Sequence, residues 1–152
     1  MKIKEEIKQS EFSDVYLKAF INVLFTGNFL RNKQNGTLKP YGITMQQFNI
    51  LKILNGKLPE SMKAGEIKSV MIDKSPDLTR LINRMITNGW VKRNRSKSSG
   101  REVAISITGK GIKLVNNVYP IALKDVEFLK NLTEQEAELL SVLLDKVRGE
   151  GI

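Results

Sequence analysis

The segment that most constrains this chain runs from Ser75 to Ile107, where one short amphipathic helix is followed at once by two β-like runs around a basic loop. Ser75-Pro76-Asp77 reads as a helix start: a hydroxyl N-cap, a proline at N1 where its missing N–H costs nothing, and an acid in the positively polarised first turn. Asn88-Gly89 closes the helix, because glycine tolerates the left-handed backbone of the C′ position. At about 100° per residue, Leu78, Leu81, Ile82, Met85 and Ile86 share one side, and Thr79, Arg80, Asn83, Arg84 and Thr87 share the other. One face docks and one face stays free. Trp90 to Arg93 and Glu102 to Ile107 then read as strands, the second alternating Val103, Ile105 and Ile107 with Ala104 and Ser106. Between them, Asn94 to Arg101 forms a hairpin loop carrying Arg95, Lys97 and Arg101.

The flanking sequence supplies helices. Ile7, Phe12, Val15, Tyr16, Ala19, Phe20, Val23 and Leu24 recur mostly every three or four residues, which predicts a helix from residue 3 to about 31, with a loop over Asn32 to Pro40. Thr44 and Gln47 form a capping box with a hydrophobic staple between Ile43 and Phe48, opening a helix that buries Phe48, Leu51 and Leu54 and stops near Gly56. After a break at Leu58-Pro59-Glu60, Met62 to Val70 is a short helix expected to turn Ile67 and Val70 inward. Thr108 caps a long helix over about 109–130, bearing Ile112, Val115, Ile121, Leu123, Val126 and Leu129 and bent at Pro120. Thr133 and Glu136 make a second capping box, before a helix with Leu140, Leu143, Leu144 and Val147 along one stripe. The class is mainly α with a small β-hairpin (α+β), and 152 residues are enough for one core and one domain.

Composition removes whole chemistries. With no cysteine and no histidine there is no disulfide, thiol switch, Cys/His zinc cluster, Ser-His-Asp triad or imidazole base. Gly109-Lys110-Gly111 lacks the spacing of a phosphate-binding loop, and Glu134, Glu136 and Glu138 are explained by the helix N-terminus they occupy. The expectation is therefore no enzyme, no catalytic residue, no metal and no cofactor. No apolar run approaches the roughly 18 residues of a membrane span, and the N-terminus has no signal pattern, so a cytoplasmic protein without a membrane partner is expected. The net charge of +9 is unevenly spread: +4 over residues 1–56, +8 over 57–113 and −3 over 114–152. Positive charge thus concentrates around the helix and hairpin, as binding to a polyanion requires.

The free face of the helix over 75–88 carries guanidinium, carboxamide and hydroxyl groups, which hydrogen-bond to phosphates and base edges in a major groove wide enough for a helix. Arginine suits guanine there, and asparagine suits adenine. Taken singly, such a face is explained by solvation and such a loop by solubility; helix, helix, strand, basic loop and strand in succession favour double-stranded DNA. The run Glu66-Ile67, Thr79-Arg80-Leu81-Ile82, Met85, Asn88-Gly89-Trp90-Val91, Arg93, and Arg101 seven residues before Thr108-Gly109-Lys110-Gly111 resembles the winged helix of MarR-type regulators. The order of the outer helices matches that family over nearly the whole chain.

The resemblance implies a winged helix-turn-helix over 44–108 and helical dimerisation parts over 1–35 and 109–150, in a homodimer that regulates transcription, with repression the expected mode. Ser75, Pro76, Thr79, Arg80, Asn83 and Arg84 would lie at or near the major groove, and Arg95, Lys97 and Arg101 on the wing. Two positions depart from the family pattern: Ser99 stands where an acid usually precedes the arginine at 101, and Lys68 where a small apolar residue is usual. The resemblance also implies a small aromatic effector, for which Phe12, Tyr16, Phe20, Met45 and Tyr119 are the candidate lining residues. A sequence-independent architectural DNA-binding protein and a winged-helix protein-interaction module are the alternatives.

Overall fold

The long N-terminal helix begins at a side-chain cap. In a computed structural model that describes residues 2–9, 11–95 and 103–149, Asp14 Oδ1 accepts the backbone N–H groups of Tyr16 at 2.7 Å and Leu17 at 2.8 Å. Helix α2 therefore spans Val15–Leu38, and a separate single turn, α1, covers Ile3–Glu6. The helix expected over 3–31 is thus divided in two and displaced. The loop expected over Asn32 to Pro40 is mostly helix, because Leu38 is fully buried in the core and holds the last turn. Pro40 sits in a 3-10 turn, Lys39–Tyr41, which ends at Gly42 with a φ of 65°. That left-handed value is one glycine adopts without strain.

Helix α3, Met45–Gly56, starts at the anticipated capping box: Gln47 N–H donates to Thr44 Oγ1 at 3.3 Å, and Thr44 N–H donates to Gln47 Oε1 at 3.0 Å. Ile43 and Phe48 are both buried, as a staple requires, and Ile50, Leu51 and Leu54 complete the inner face. Strand β1, Met62–Lys63, leads directly into α4, Ala64–Val70. Ile67 on α4 is buried as expected, whereas Val70 is 56% exposed. Helix α5, Leu78–Thr87, is capped by Asp77, whose Oδ1 accepts Arg80 N–H at 3.2 Å, and not by Ser75. It ends in paired backbone bonds from Gly89 N–H to the Ile86 carbonyl at 2.8 Å and from Trp90 N–H to the Met85 carbonyl at 2.9 Å. Gly89 is left-handed, with φ of 72°. This is the Schellman closure that Asn88-Gly89 announced.

Strands β2, Val91–Arg95, and β3, Val103–Ile107, pair antiparallel from Val91 opposite Ile107 to Arg95 opposite Val103. β1 adds to the other side of β3 through Met62 opposite Ile105 and Lys63 opposite Ala104, so the sheet has three strands in the order β1-β3-β2 and not two. Ile105 and Ile107 are buried on one face, while Val103 is exposed. Ser106 is also buried, and its Oγ accepts a bond from Asn94 Nδ2 at 2.9 Å. Helix α6, Gly109–Ala122, is capped by Thr108, whose Oγ1 accepts Gly111 N–H at 3.1 Å. The expected single helix over 109–130 changes type: Pro120 removes a backbone donor in the last turn of α6, and Leu123–Asn131 continues as a 3-10 helix. Helix α7, Glu134–Val147, opens with Thr133 N–H donating to Glu136 Oε2 at 2.8 Å and Glu136 N–H to Thr133 Oγ1 at 3.2 Å.

Among the described residues, Leu38, Ile50, Leu51, Leu54, Ile67, Met85, Val91, Val115 and Val118 are the largest fully buried side chains. The core therefore lies where the end of α2, α3, α4, α5, β2 and α6 meet, behind α5 and the sheet. No residue of α7 is buried.

Candidate nucleic-acid interface

Helix α5 is fixed from behind. Leu78, Ile82 and Met85 are buried, and Leu81 and Ile86 pack against the same cluster. The opposite side leaves Thr79, Arg80, Asn83, Arg84 and Thr87 exposed, so the polar surface read from the helical wheel is the one the fold presents. A rigid apolar backing means that a ligand met by these side chains meets them in a set register.

The segment entering α5 is also tied down. Asp73 Oδ1 accepts the N–H of Ser75 at 3.0 Å and its hydroxyl, and Asp73 Oδ2 accepts from Gln46 Nε2 on α3 at 3.3 Å. Asn49, also on α3, accepts the Ile72 N–H through Oδ1 at 3.0 Å. Ser75, assigned from sequence as the helix cap, instead completes this turn and remains exposed beside the partly buried Pro76. The Ser75 hydroxyl and then the Ser75 N–H hold the Asp73 carboxyl below its ordinary value of 3.8. A carboxylate with a depressed folded-state pKa stabilises the fold above the ordinary value, and that contribution disappears as pH falls through the lowered one. Asp73→Asn is therefore expected to melt below the parent near neutral pH, with the gap closing below about pH 4. A constant gap between melting curves at about pH 6 and pH 3 would contradict this role for Asp73.

From the wing side, Arg93 on β2 donates from Nη2 to Asn83 Oδ1 at 2.6 Å. Arg93 also shares a groove of about 200 Å³ with Ala64, Thr79, Ile82, Val103 and Ile105. The bond joins a residue of α5 to one of β2, ten residues on, and no local spacing signals it. Arg95 is the last residue of β2, placed opposite Val103. Lys97, Ser99 and Arg101 lie outside the described residues. Lys68 is exposed on α4, so its charge remains in solvent and leaves the packing of Ile67 undisturbed.

The five candidate effector residues fall on separate parts of the chain. Phe12 is half-buried just before α2, and Tyr16, 83% exposed, and Phe20 stand on the open side of α2. Met45 is partly buried against the core at the start of α3. Tyr119, on α6, is exposed with Lys52 Nζ 3.2 Å above its ring centre. Among the described residues no group of three or more acidic side chains is placed to hold a metal ion, and no helix is long and apolar enough to cross a membrane.

A short helix, a second helix with an apolar back and a polar front, and a hairpin hinged on that second helix define a winged helix-turn-helix of the kind that DNA-binding regulators use. Comparison with known proteins names the family. The model of the SarA/Rot transcriptional regulators matches residues 32–118. The multiple antibiotic resistance protein MarR of Escherichia coli is 30% identical over 115 residues, covering 74% of this chain and 78% of MarR. Among solved structures, a mutant E. coli MarR complexed with operator DNA superposes with a TM-score of 0.70 at 28% identity, over 89% of this chain and 99% of that one. AbsC, a MarR family transcriptional regulator of Streptomyces coelicolor, superposes with a TM-score of 0.81 at 23% identity, over 91% of this chain and 95% of that one. The chain belongs to the MarR-type winged-helix transcriptional regulators, a family of DNA-binding regulators and not of enzymes.

Proposed function

We propose that the chain works as a homodimeric, sequence-specific repressor on a pseudo-palindromic operator. In this reading residues 44–108 carry the DNA, with α5 in the major groove and the β2–β3 wing along the backbone or the adjacent minor groove. Residues 1–35 and 109–150 form the dimerisation part. The observation that carries the proposal is the exposed row Thr79, Arg80, Asn83 and Arg84 on a helix whose other side is locked into the core. Ser75 and Pro76 sit at the end of α5 that enters the groove, and Arg95, Lys97 and Arg101 supply cations to the wing. The structure of E. coli MarR with operator DNA supports the same use of the fold.

Dimerisation is supported by apolar surface that one copy leaves open, above all Val15, Tyr16 and Phe20 on α2 and Leu139, Leu143 and Val147 on α7. Two-fold pairing sets the recognition helices about 34–36 Å apart, the spacing of successive major grooves. Relief of repression by a small aromatic molecule, with Phe12, Tyr16, Phe20, Met45 and Tyr119 as the lining residues, completes the proposal. A panel of phenols and aromatic acids titrated against the operator complex tests that part, and failure of every one to release DNA would remove it.

The central test is selection of bound fragments from random duplexes. A symmetric enriched site, bound about 10³-fold or more above random DNA, is expected. Equal affinity for all duplexes would replace the repressor with an architectural binder. Run-off transcription from a promoter overlapping the enriched site should fall as protein is added. Arg84→Ala is expected to lose roughly 1–3 kcal/mol of operator binding, about 5- to 150-fold, mostly as lost preference at one base pair. Unaltered base preference would take Arg84 out of the reading surface.

A further inference from the structure

The reading of α5 as the base-contacting helix leaves open what Asn83 recognises, and the wing supplies an answer. A guanidinium has donors and no acceptor, so the carboxamide atom that faces Arg93 is the oxygen. The contact, at 2.6 Å, is a hydrogen bond whose donor carries a full charge. Both ends are anchored. Arg93 lies on β2 opposite Ile105, which is buried, and Asn83 follows Ile82, which is buried. Asn83 Nδ2, which has only hydrogens to offer, has no partner among the described residues and belongs to the exposed face shared with Arg80 and Arg84.

Resting on that reading of α5, we infer that Arg93 is a positioning residue that sets base preference through Asn83. It turns the carboxamide oxygen toward the wing and leaves the amide nitrogen for the groove. An unrestrained asparagine matches adenine with both atoms at once, accepting from N6 and donating to N7. With one lone pair of its oxygen engaged by a cation and the carboxamide plane set by that bond, Asn83 presents Nδ2 as a donor. Adenine sets its N6 amino donor beside N7, leaving that donor unmatched when Nδ2 faces it, whereas guanine offers N7 and O6 side by side and thymine offers O4, so these bases are favoured over adenine. Residue type alone suits asparagine to adenine; held by Arg93, Asn83 is instead directed to guanine or thymine. Arg93 itself is exposed, so its removal leaves the core intact.

The test is a set of operator duplexes substituted one base pair at a time, bound by the wild type, Asn83→Ala, Arg93→Ala, Arg93→Lys and the Asn83→Ala/Arg93→Ala double variant. At the position where Asn83→Ala loses discrimination, the wild type should prefer guanine or thymine. Arg93→Ala should shift that one position toward adenine by about 5-fold or more, a change within the range of a single base contact. Arg93→Lys, which keeps a cationic donor, should retain most of the wild-type preference, and the double variant should match Asn83→Ala there. A merely structural role would not produce a swap of preferred base at one position.

Three results would overturn the inference while leaving the winged-helix reading standing. One is uniform weakening of every duplex by Arg93→Ala with preferences intact, which would make Arg93 a phosphate contact. Another is a wild-type preference for adenine at the Asn83 position. The third is discrimination at every position unaffected by Asn83→Ala. Absence of any selected site for the wild type would overturn both.

Discussion

In the proposed dimer, Leu143→Glu is expected to separate the subunits into monomers and to lower operator affinity by about 100-fold or more. The expectation begins with α7, which carries Leu139, Leu140, Leu143 and Val147 yet buries none of them in its own protomer. Leu140, Leu143 and Val147 follow the three- and four-residue spacing of a single helical stripe, and Val147 is 78% exposed. Apolar surface on this scale, repeated on α2 by Val15, Tyr16, Phe20, Val23 and Leu24, is what the proposed dimer would cover. In a two-fold dimer each substitution occurs twice. Fully burying a leucine is worth about 1.5–3 kcal/mol; Leu143 is already half covered in its own protomer, so losing two removes roughly 1.5–3 kcal/mol before the larger cost of placing two unpaired carboxylates there. Subunits that separate also lose the second half-site, and with it the gain from binding both at once. Sedimentation over a range of concentrations reads the assembly, and circular dichroism shows that the monomer keeps its helices, as it should when the changed side chain lies outside the protomer core. A variant that remains dimeric and binds the operator as before would exclude α7 from the interface.

The sequence displayed those features whose cause is local. Thr44, Thr108 and Thr133 cap helices where they were expected to, because a hydroxyl and a following N–H or glutamyl group settle the matter within four residues. The two faces of α5 were legible for the same reason: five apolar side chains fall on one side and a core exists to receive them. Apolar spacing alone misplaced the start of α2, since Ile7 and Phe12 continue the pattern while Asp14 provides the cap. Ser75 and Asp77 are both good caps with a proline between them; Asp73 captures Ser75, and Asp77 is left to cap the helix. β1 was invisible because a two-residue strand has no alternation to read, and only β3 defines it. Val70 was assigned inward from an apolar pattern too short to fix the phase of α4.

The candidate site divides the same way. Thr79, Arg80, Asn83 and Arg84 could be named from a wheel, but the bond from Arg93 to Asn83 depends on how β2 folds back beside α5, bringing together residues ten apart in sequence. Tyr16 and Phe20 show the opposite difficulty. Their spacing reads as core, yet both are exposed in the protomer, and the proposed dimer accounts for the difference.

The junction between the wing and α6 carries the other large expected effect. A methyl group on Gly111 would stand 2.2 Å from the Trp90 carbonyl oxygen and 2.8 Å from Ile107 Cγ1. The Trp90 oxygen has no freedom to retreat, since it accepts Thr108 N–H at 3.0 Å and lies 3.1 Å from the Thr108 hydroxyl. That hydroxyl is in turn 2.6 Å from the Gly89 carbonyl and caps α6 through Gly111 N–H. Alanine favours a helix over glycine by about 1 kcal/mol, so propensity alone would make Gly111→Ala stabilising. A clash with fixed backbone reverses the sign. Overpacking costs typically 1–3 kcal/mol and occasionally more, and a contact this far inside van der Waals distance belongs at the upper end. A net loss of about 2 kcal/mol lowers the thermal midpoint by roughly 4–8 °C for a chain of this size. Relief requires α6 to move away from Trp90, which tilts the wing relative to α5 and weakens operator binding even where the variant is folded. Gly109→Ala is the matched control in the same turn, because its added methyl meets nothing within 4 Å. Thermal melts of the two variants side by side separate propensity from packing: Gly109→Ala should melt within a few degrees of the parent, and an equally mild Gly111→Ala would mean that the close approach of α6 to the wing is not what holds them together.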